Sequence, residues 1–228
     1  MTDTWHHPEA IVSGDWLEAH LADPNLRIYD CTTYPRYEEG TERPYRVESG
    51  RADWEAGHIP GAMHLDLQAD FSEDDAPTRF MRRSPAECSA KFARHGMGDD
   101  TRVVLYSRKS PQWATRFWWM LRWIGFDKAA VLDGVMDKWE AEGRPVTTEP
   151  ASYPPGTLTA RPRPGLFVGK KEMLAGDWRR RGMLTERSRC HCQRRSKSRP
   201  IGGAKVCHLG DRELLLGRGA RLARALPE

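Results

Sequence analysis

The segment that decides the fold runs from Arg102 to Pro145 and reads RVVLYSRKSPQWATRFWWMLRWIGFDKAAVLDGVMDKWEAEGRP. It begins with strand-forming residues at 103–106 and continues through a polar loop at 107–112. Residues 113–124 follow, and their apolar side chains recur at helical spacing. A second short strand and a further helix come before Pro145. Strand, loop, helix and strand in this order form a crossover unit, which predicts a parallel sheet.

The polar loop lies between the carboxyl end of a strand and the amino end of a helix. Backbone N–H groups and the helix dipole favour negative charge at such a place. Arg108 and Lys109 add two full positive charges, so an anion or a thiolate would be stabilised there. The alternative is a solvated loop with two surface cations. We interpret the loop as anion-binding, with candidate residues Arg108, Lys109, Ser110 and Gln112.

Two further blocks precede this segment. Residues 28–30, Ile-Tyr-Asp, read as a buried strand that ends in an acid, and Gly-Arg at 50–51 is followed by Gly-His-Ile-Pro-Gly-Ala at 57–62. Together with the crossover segment, and in this order, the blocks resemble a rhodanese domain. The resemblance covers residues 11–145. It implies an α/β fold with a central parallel sheet flanked by helices.

Other local signals complete the predicted domain. Residues 84–87, Ser-Pro-Ala-Glu, form a capping box with proline at the first helical position, and Gly96 is placed to end that helix. Residues 34–49 are long, charged and without period, so we predict a loop there.

The family resemblance assigns supporting roles to three residues. Asp30 and Arg51 match positions that support the loop in rhodanese domains, and a structural role is expected because a buried charge needs a partner. His58 lies in a turn-forming signature, which favours a hydrogen-bonding role over acid–base catalysis.

The resemblance also bears on catalysis. An active rhodanese loop begins with a cysteine directly after the strand, and its thiolate carries sulfur as a persulfide. Ser107 occupies that position here, because eighteen residues separate it from Gly125, which suits the family's loop-plus-helix length. A serine hydroxyl has a far higher pKa than a thiol and forms no persulfide. Cys31, at a strand end near the loop, is a weaker candidate nucleophile.

Two functions are therefore open. The first is a rhodanese-family sulfurtransferase that moves sulfane sulfur from thiosulfate or 3-mercaptopyruvate, small sulfur-containing anions, to a thiophilic acceptor such as a protein thiol. Ser107 would impair this chain in that reaction. The second is a catalytically inactive rhodanese-like module that binds an anion or a protein. Neither function requires a cofactor.

Composition divides the chain into four parts. Residues 8–147 are the predicted rhodanese-like domain, and 148–166, with five prolines, read as an extended linker. Residues 167–178 resemble the opening of a second rhodanese-like domain, and 179–228 form an irregular basic tail. This layout resembles the two-domain sulfurtransferases, whose catalytic cysteine normally lies in the second domain. Here that domain is expected to be truncated or disrupted by a frameshift.

The tail carries the positive charge of the chain. Residues 179–228 hold 14 Lys or Arg against 4 Asp or Glu, a net +10, whereas residues 1–178 hold 22 against 28, a net −6. Because the tail lacks aromatic residues, nucleic-acid binding is not predicted. We expect the tail to be disordered or out of frame, with helical character only over 209–226. Its Cys-His-Cys run at 190–192 does not match zinc-ligand spacing, so no metal is predicted.

Composition and cysteine usage set the class of protein. The chain of 228 residues is 39% apolar and 30% charged, as in soluble globular proteins. No apolar run approaches the ~18 residues that span a membrane. Five cysteines without regular spacing do not form a disulfide framework, so a cytoplasmic location without membrane partners is predicted.

Overall fold

The structure, a computed structural model, divides after Phe167 into two compact units. It describes the side chains and backbone of residues 7–37, 45–73, 76, 78–169 and 171, and the backbone of 205–209 and 212–216. The strands of the first unit are β1 Ile11–Val12, β2 Leu26–Asp30, β3 Thr33–Tyr37, β4 Tyr45–Ser49, β5 Ala62–His64, β6 Arg102–Tyr106 and β7 Ala129–Leu132. Its α-helices are α1 Gly14–Ala19, α2 Arg51–Ala56, α3 Pro85–Arg94, α4 Gln112–Trp123 and α5 Val135–Ala141.

The central sheet confirms the predicted fold class. Five parallel strands lie in the order β1-β7-β6-β2-β5. Side chains of β6 alternate between the two faces of the sheet: Val103 and Leu105 pack with α3 and α4, whereas Val104 and Tyr106 pack with α1 and α5. Because both faces are covered, β6 is apolar from Val103 to Tyr106, which is why its sequence shows no alternation.

The ends of the predicted helices are found where the sequence places them. In α3, the Ser84 hydroxyl accepts from the Glu87 N–H at 3.3 Å, and the Glu87 carboxylate accepts from the Ser84 N–H at 3.0 Å. Gly96 and Gly125 follow α3 and α4 with φ of +88° and +91°, a conformation that favours glycine. Among the described residues, no helix is long and apolar enough to cross a bilayer.

The prediction of a loop over 34–49 is wrong at both ends of that range. β3 and β4 form an antiparallel ribbon that pairs Thr33 with Ser49 and Tyr37 with Tyr45. Its charged side chains interact along the exposed ribbon, as in the Arg36–Glu48 ion pair at 2.9 Å. Since neither face of the ribbon is fully buried, its sequence lacks the apolar alternation that normally identifies a strand.

The proline-rich segment 148–167, here named the strap, includes the predicted linker 148–166 and is bound along the surface of the first unit. Hydrogen bonds join the chain from Thr147 onward to four separate places, in the pairs Thr147–His58, Tyr153–Gly61, Gly156–Ala93 and Arg161–Ile124. Phe167 then packs edge-on against Trp123 at 5.3 Å. We therefore propose that the first domain includes the strap and ends at Phe167, rather than at 147.

In the second unit the structure describes an antiparallel hairpin of β8 Lys205–Leu209 and β9 Arg212–Leu216. The predicted helical character is therefore wrong for 212–216, where three consecutive leucines lie in a strand. The remainder of the tail, with the Cys-His-Cys run and its predicted disorder, lies outside the described residues. The same is true of most of 167–178, the predicted opening of a second domain.

If the strap belongs to the folded domain, Tyr153→Ala should lower the free energy of unfolding by about 2–3 kcal/mol. The Tyr153 hydroxyl donates to the Gly61 carbonyl at 2.5 Å, and the Arg27 guanidinium lies 4.5 Å from the ring centre. Urea unfolding followed by tryptophan fluorescence measures the change. Tyr37→Ala, at a tyrosine that is 80% exposed, is the control, and equal effects of the two substitutions would contradict the proposal.

Candidate functional site

The loop 107–111 connects β6 to α4 and turns tightly on itself. Ser107 is fully buried, and its hydroxyl donates to the Ser110 carbonyl at 2.6 Å. Lys109 has a φ of +62°, in the left-handed region that non-glycine residues seldom adopt. The hydroxyl that stands at the predicted nucleophile position therefore faces the backbone of its own loop.

Helix α5 closes the loop from one side with two carboxylates. The Lys109 N–H donates to Asp137 Oδ1 at 3.1 Å, and the Arg108 guanidinium pairs with Glu140 at 3.0 Å. The Met136 N–H donates to the Ser107 carbonyl at 3.0 Å. Burial by itself would lower the pKa of Arg108, but the Glu140 carboxylate and the buried Asp30 raise it above its usual value. The positive charge of Arg108 is thus matched within the chain.

A buried carboxylate supports the loop from below. Asp30 Oδ1 accepts from the Thr32 N–H at 2.8 Å and from the Thr32 hydroxyl at 2.5 Å, and the same hydroxyl accepts from the Arg108 N–H at 3.1 Å. Burial raises the pKa of Asp30, and the two hydrogen bonds from Thr32 oppose that shift. The chain Asp30–Thr32–Arg108 N–H, here named the relay, fixes the first peptide of the loop.

The loop's backbone donors are already engaged. The N–H groups of Arg108, Lys109, Ser110 and Gln112 donate, respectively, to Thr32 Oγ1, Asp137 Oδ1, the Arg108 carbonyl and Ser110 Oγ. An external anion would have to displace these acceptors before it could use the donors. The anion-binding role of these four residues stays a prediction.

The three predicted supporting residues lie in different surroundings. Asp30 is beneath the loop, as the relay shows. His58 is buried, with Nδ1 2.7 Å from the Trp54 carbonyl and Nε2 3.0 Å from the Glu149 carbonyl, so its ring connects α2 to the strap. Arg51 lies on the surface with a side chain that is 57% exposed and 3.9 Å from Glu55. The structure therefore brings Asp30, but not Arg51, to the loop.

The two cysteines of the first unit are poorly suited to nucleophilic chemistry. Cys31 is fully buried, and burial raises the pKa of its thiol well above the usual value. Burial also raises the pKa of Cys88 to about 11. Because the thiolate is the reactive form, neither residue provides a nucleophile here. Within the described residues, no group of three His, Cys, Asp or Glu could hold a metal ion.

Sequence reasoning missed the three residues that hold the loop: Thr32, Asp137 and Glu140. For two of these residues the sequence contained a signal, but only a local one. Asp137 and Glu140 are three residues apart in a predicted helix and therefore share one of its faces. Nothing in the sequence indicated that this face meets the loop, since 28 residues separate Asp137 from Lys109.

A five-stranded parallel sheet, with the loop between β6 and α4 at the carboxyl edge, defines the class. The model of the rhodanese-like domain family matches residues 13–142, and the chain belongs to this family. It is 37% identical over 150 residues to the sulfur carrier protein TtuD of Thermus thermophilus, covering 66% of this chain and 46% of that protein. It is 32% identical over 169 residues to a probable 3-mercaptopyruvate sulfurtransferase of Pseudomonas aeruginosa, covering 72% and 56%.

Among solved structures, SseA of Escherichia coli, a 3-mercaptopyruvate sulfotransferase, matches with a TM-score of 0.61 and 27% identity, covering 74% of this chain and 61% of that one. The chain spans about half the length of the curated relatives it matches, 46% and 56% for the two named above.

If the relay holds the loop, Thr32→Val should lower the free energy of unfolding by about 2–3 kcal/mol at neutral pH, because Asp30 loses the hydrogen bond from the Thr32 hydroxyl and the Arg108 N–H loses its acceptor. The bond from the Thr32 hydroxyl lowers the pKa of Asp30, so its loss raises that pKa further in the folded state. Below the ordinary pKa of 3.8, the carboxyl is neutral in both proteins. The difference in stability should therefore grow as pH rises through the pKa of Asp30 in the folded parent, which lies above that value.

Urea unfolding at about pH 5 and about pH 8 measures this pH dependence. Thr115→Val is the control, because the hydroxyl of this exposed threonine donates to the Gln112 carbonyl of its own helix. A cost for Thr32→Val that does not change with pH would contradict the role given to Asp30.

Proposed function

We propose that the first unit is the non-nucleophilic domain of a rhodanese-family sulfurtransferase. The reaction moves a sulfane sulfur from thiosulfate or 3-mercaptopyruvate to a thiophilic acceptor, with a protein thiol as a candidate. Family membership supports the proposal, as do relatives named as a sulfur carrier and a probable 3-mercaptopyruvate sulfurtransferase. We assign the activity to the cytoplasm, because the cysteine usage of the sequence fits a reducing compartment.

One observation carries the assignment as non-nucleophilic: the loop begins with Ser107, whose hydroxyl is buried and donates to Ser110. In sulfur transfer from thiosulfate, a thiolate attacks the outer sulfur, a new S–S bond forms, and sulfite leaves with the electron pair of the broken S–S bond. A hydroxyl is protonated at neutral pH and is a hard nucleophile toward sulfur. The attacking thiolate must therefore come from outside the first unit.

A second rhodanese-like domain is the proposed source of that thiolate. Residues 167–178 resemble its opening in sequence, and the part that follows is proposed to be truncated or frameshifted. Sequencing the gene and translating the other two frames after codon 176 tests this point. A cysteine-headed loop in one of those frames would support the proposal, and its absence from both would count against it.

Restoring the thiol tests the role of position 107. In a background with the three tail cysteines replaced by serine, Ser107→Cys is expected to gain one sulfur atom on exposure to thiosulfate, because the helix dipole of α4 and Arg108 favour a thiolate there. The serine parent should gain none. Intact-protein mass spectrometry measures the change, and Ser110→Cys, in the same loop but away from the strand end, is the matched control.

The outcomes of this experiment separate the two functions. Sulfur uptake by the parent would make Cys31 or Cys88 the acceptor and would overturn the assignment of the loop. If Ser107→Cys and Ser110→Cys both gain sulfur, position 107 has no special role. If neither gains sulfur, the loop is incomplete by itself, and the inactive binding module becomes the better description.

The alternative, an inactive module that binds an anion at the loop, is favoured by the Lys109 ammonium, which lies in no ion pair among the described residues and is 5.8 Å from the Tyr34 ring centre, although the N–H donors beside Arg108 are already bonded within the chain. Asp137 occupies one of those donors in the chain as it stands. Asp137→Ala should therefore tighten thiosulfate binding by roughly tenfold, the value of one hydrogen bond to a charged group. Isothermal calorimetry measures the affinity.

Asp133→Ala is the control for this substitution, because Asp133 adjoins the same helix but pairs with Lys138 at 2.8 Å. Equal affinities of the two variants would show that the loop does not take the anion.

A further inference from the structure

An open cleft of about 550 Å³ lies between the β3–β4 ribbon and the first turns of α4. Its volume falls within the range of sites for small molecules. Two kinds of side chain dominate its walls: four aromatic rings and two guanidinium groups, contributed by Tyr37, Tyr45, Phe80, Trp113, Arg79 and Arg116. These six residues lie outside the loop 107–111 and the relay, although Gln112, one of the anion-binding candidates, also lines the cleft.

The two arginines of the cleft lack a negative partner. In the part of the chain that the structure describes, neither Arg79 nor Arg116 lies in an ion pair, and the Nε atom of each is buried without a hydrogen-bond partner. Arg116 donates through Nη2 to the Phe80 carbonyl at 2.9 Å. Burial lowers the pKa of Arg116, and the charge of Arg82 lowers it further. A bound anion would relieve both unfavourable effects.

The aromatic side of the cleft is centred on Phe80. Its ring is stacked on Tyr45 with centres 6.3 Å apart, and it meets Trp113 at 5.2 Å. The backbone of Phe80 has a φ of +62°, which is unusual for a bulky residue. Strained residues of this kind cluster at ligand sites. Tyr37 at the rim is 80% exposed, so its ring is available to a ligand.

We propose that this cleft binds a small organic carboxylate with a planar, apolar body. The carboxylate lies against the guanidinium groups of Arg79 and Arg116, which suit bidentate hydrogen bonding. The planar body lies among the rings of Tyr45, Phe80 and Trp113, where offset or edge-on packing is favourable. The proposed binding does not require the residue at position 107.

The probe for this site is 2-naphthoate, titrated into the full chain and followed by tryptophan fluorescence and by amide chemical shifts. The expected result is saturable binding with shifts confined to residues around the cleft. Two related compounds separate the parts of the interaction. The neutral 2-naphthalenemethanol should bind roughly tenfold more weakly, because it cannot form the charge-assisted hydrogen bonds. Acetate should also bind roughly tenfold more weakly, because it lacks the ring.

Variants assign the charge to particular residues. Arg79→Ala should weaken 2-naphthoate binding by roughly tenfold, and Arg116→Lys should weaken it while keeping the charge, since the planar fork is lost. Arg122→Ala is the control for net charge: Arg122 lies on the same helix and pairs with Asp127 at 3.6 Å. It should leave the affinity unchanged.

Several results would overturn the proposal. Equal binding of 2-naphthoate and its neutral analogue would remove the role of the arginines, and equal binding of acetate would remove that of the rings. An Arg79→Ala protein with the parent affinity, or shifts centred elsewhere, would place the ligand outside the cleft. If circular dichroism shows that a variant does not fold, the relative affinities of the three compounds for the parent chain still test the proposal.

Discussion

The buried carboxylate of Asp30 is the constraint on which the loop depends. The parallel register of β2 with β6 pairs Asp30 with Tyr106, so the carboxylate lies beside the residue that precedes the loop. A charge in the interior requires hydrogen bonds, and Thr32 supplies two of them. The Thr32 hydroxyl has one further contact, as an acceptor for the Arg108 N–H. The need to satisfy one buried acid therefore fixes the start of the loop.

The carboxylates of α5 complete the electrostatics of the same loop. A loop at the amino end of a helix gathers N–H donors and cations, and such a group is stable only when acceptors neutralise it. Where a thiolate stands at the head of a rhodanese loop, it supplies negative charge. We propose that Ser107 occupies that position here; its hydroxyl is neutral, and Asp137 and Glu140 provide negative partners for the Lys109 N–H and for Arg108 from outside the loop. We interpret this arrangement as a loop stabilised without a nucleophile.

Local patterns in the sequence were sufficient for the sheet and the helix ends. The apolar run at 103–106 and the capping box of Ser84 depend on neighbours along the chain, and both were predicted correctly. The β3–β4 ribbon was missed because charged pairs across two strands leave no pattern within either strand. The loop's partners were missed for a related reason: Thr32 and Asp137 reach it only through tertiary packing, which residue spacing does not encode.

The strap shows that local sequence patterns are also insufficient to predict where a domain ends. Proline cannot donate a backbone hydrogen bond, so a proline-rich segment is usually interpreted as a free linker. The other residues of the strap can still form hydrogen bonds with the domain. The N–H groups of Gly156 and Arg161 donate to it. The carbonyls of Thr157 and Leu158 accept from the Asp99 N–H and the Ser89 hydroxyl. The prolines also restrict the unfolded chain, which lowers the entropy lost when the segment is bound. Composition indicates an extended segment, but the donors and acceptors on the domain surface decide whether it is bound.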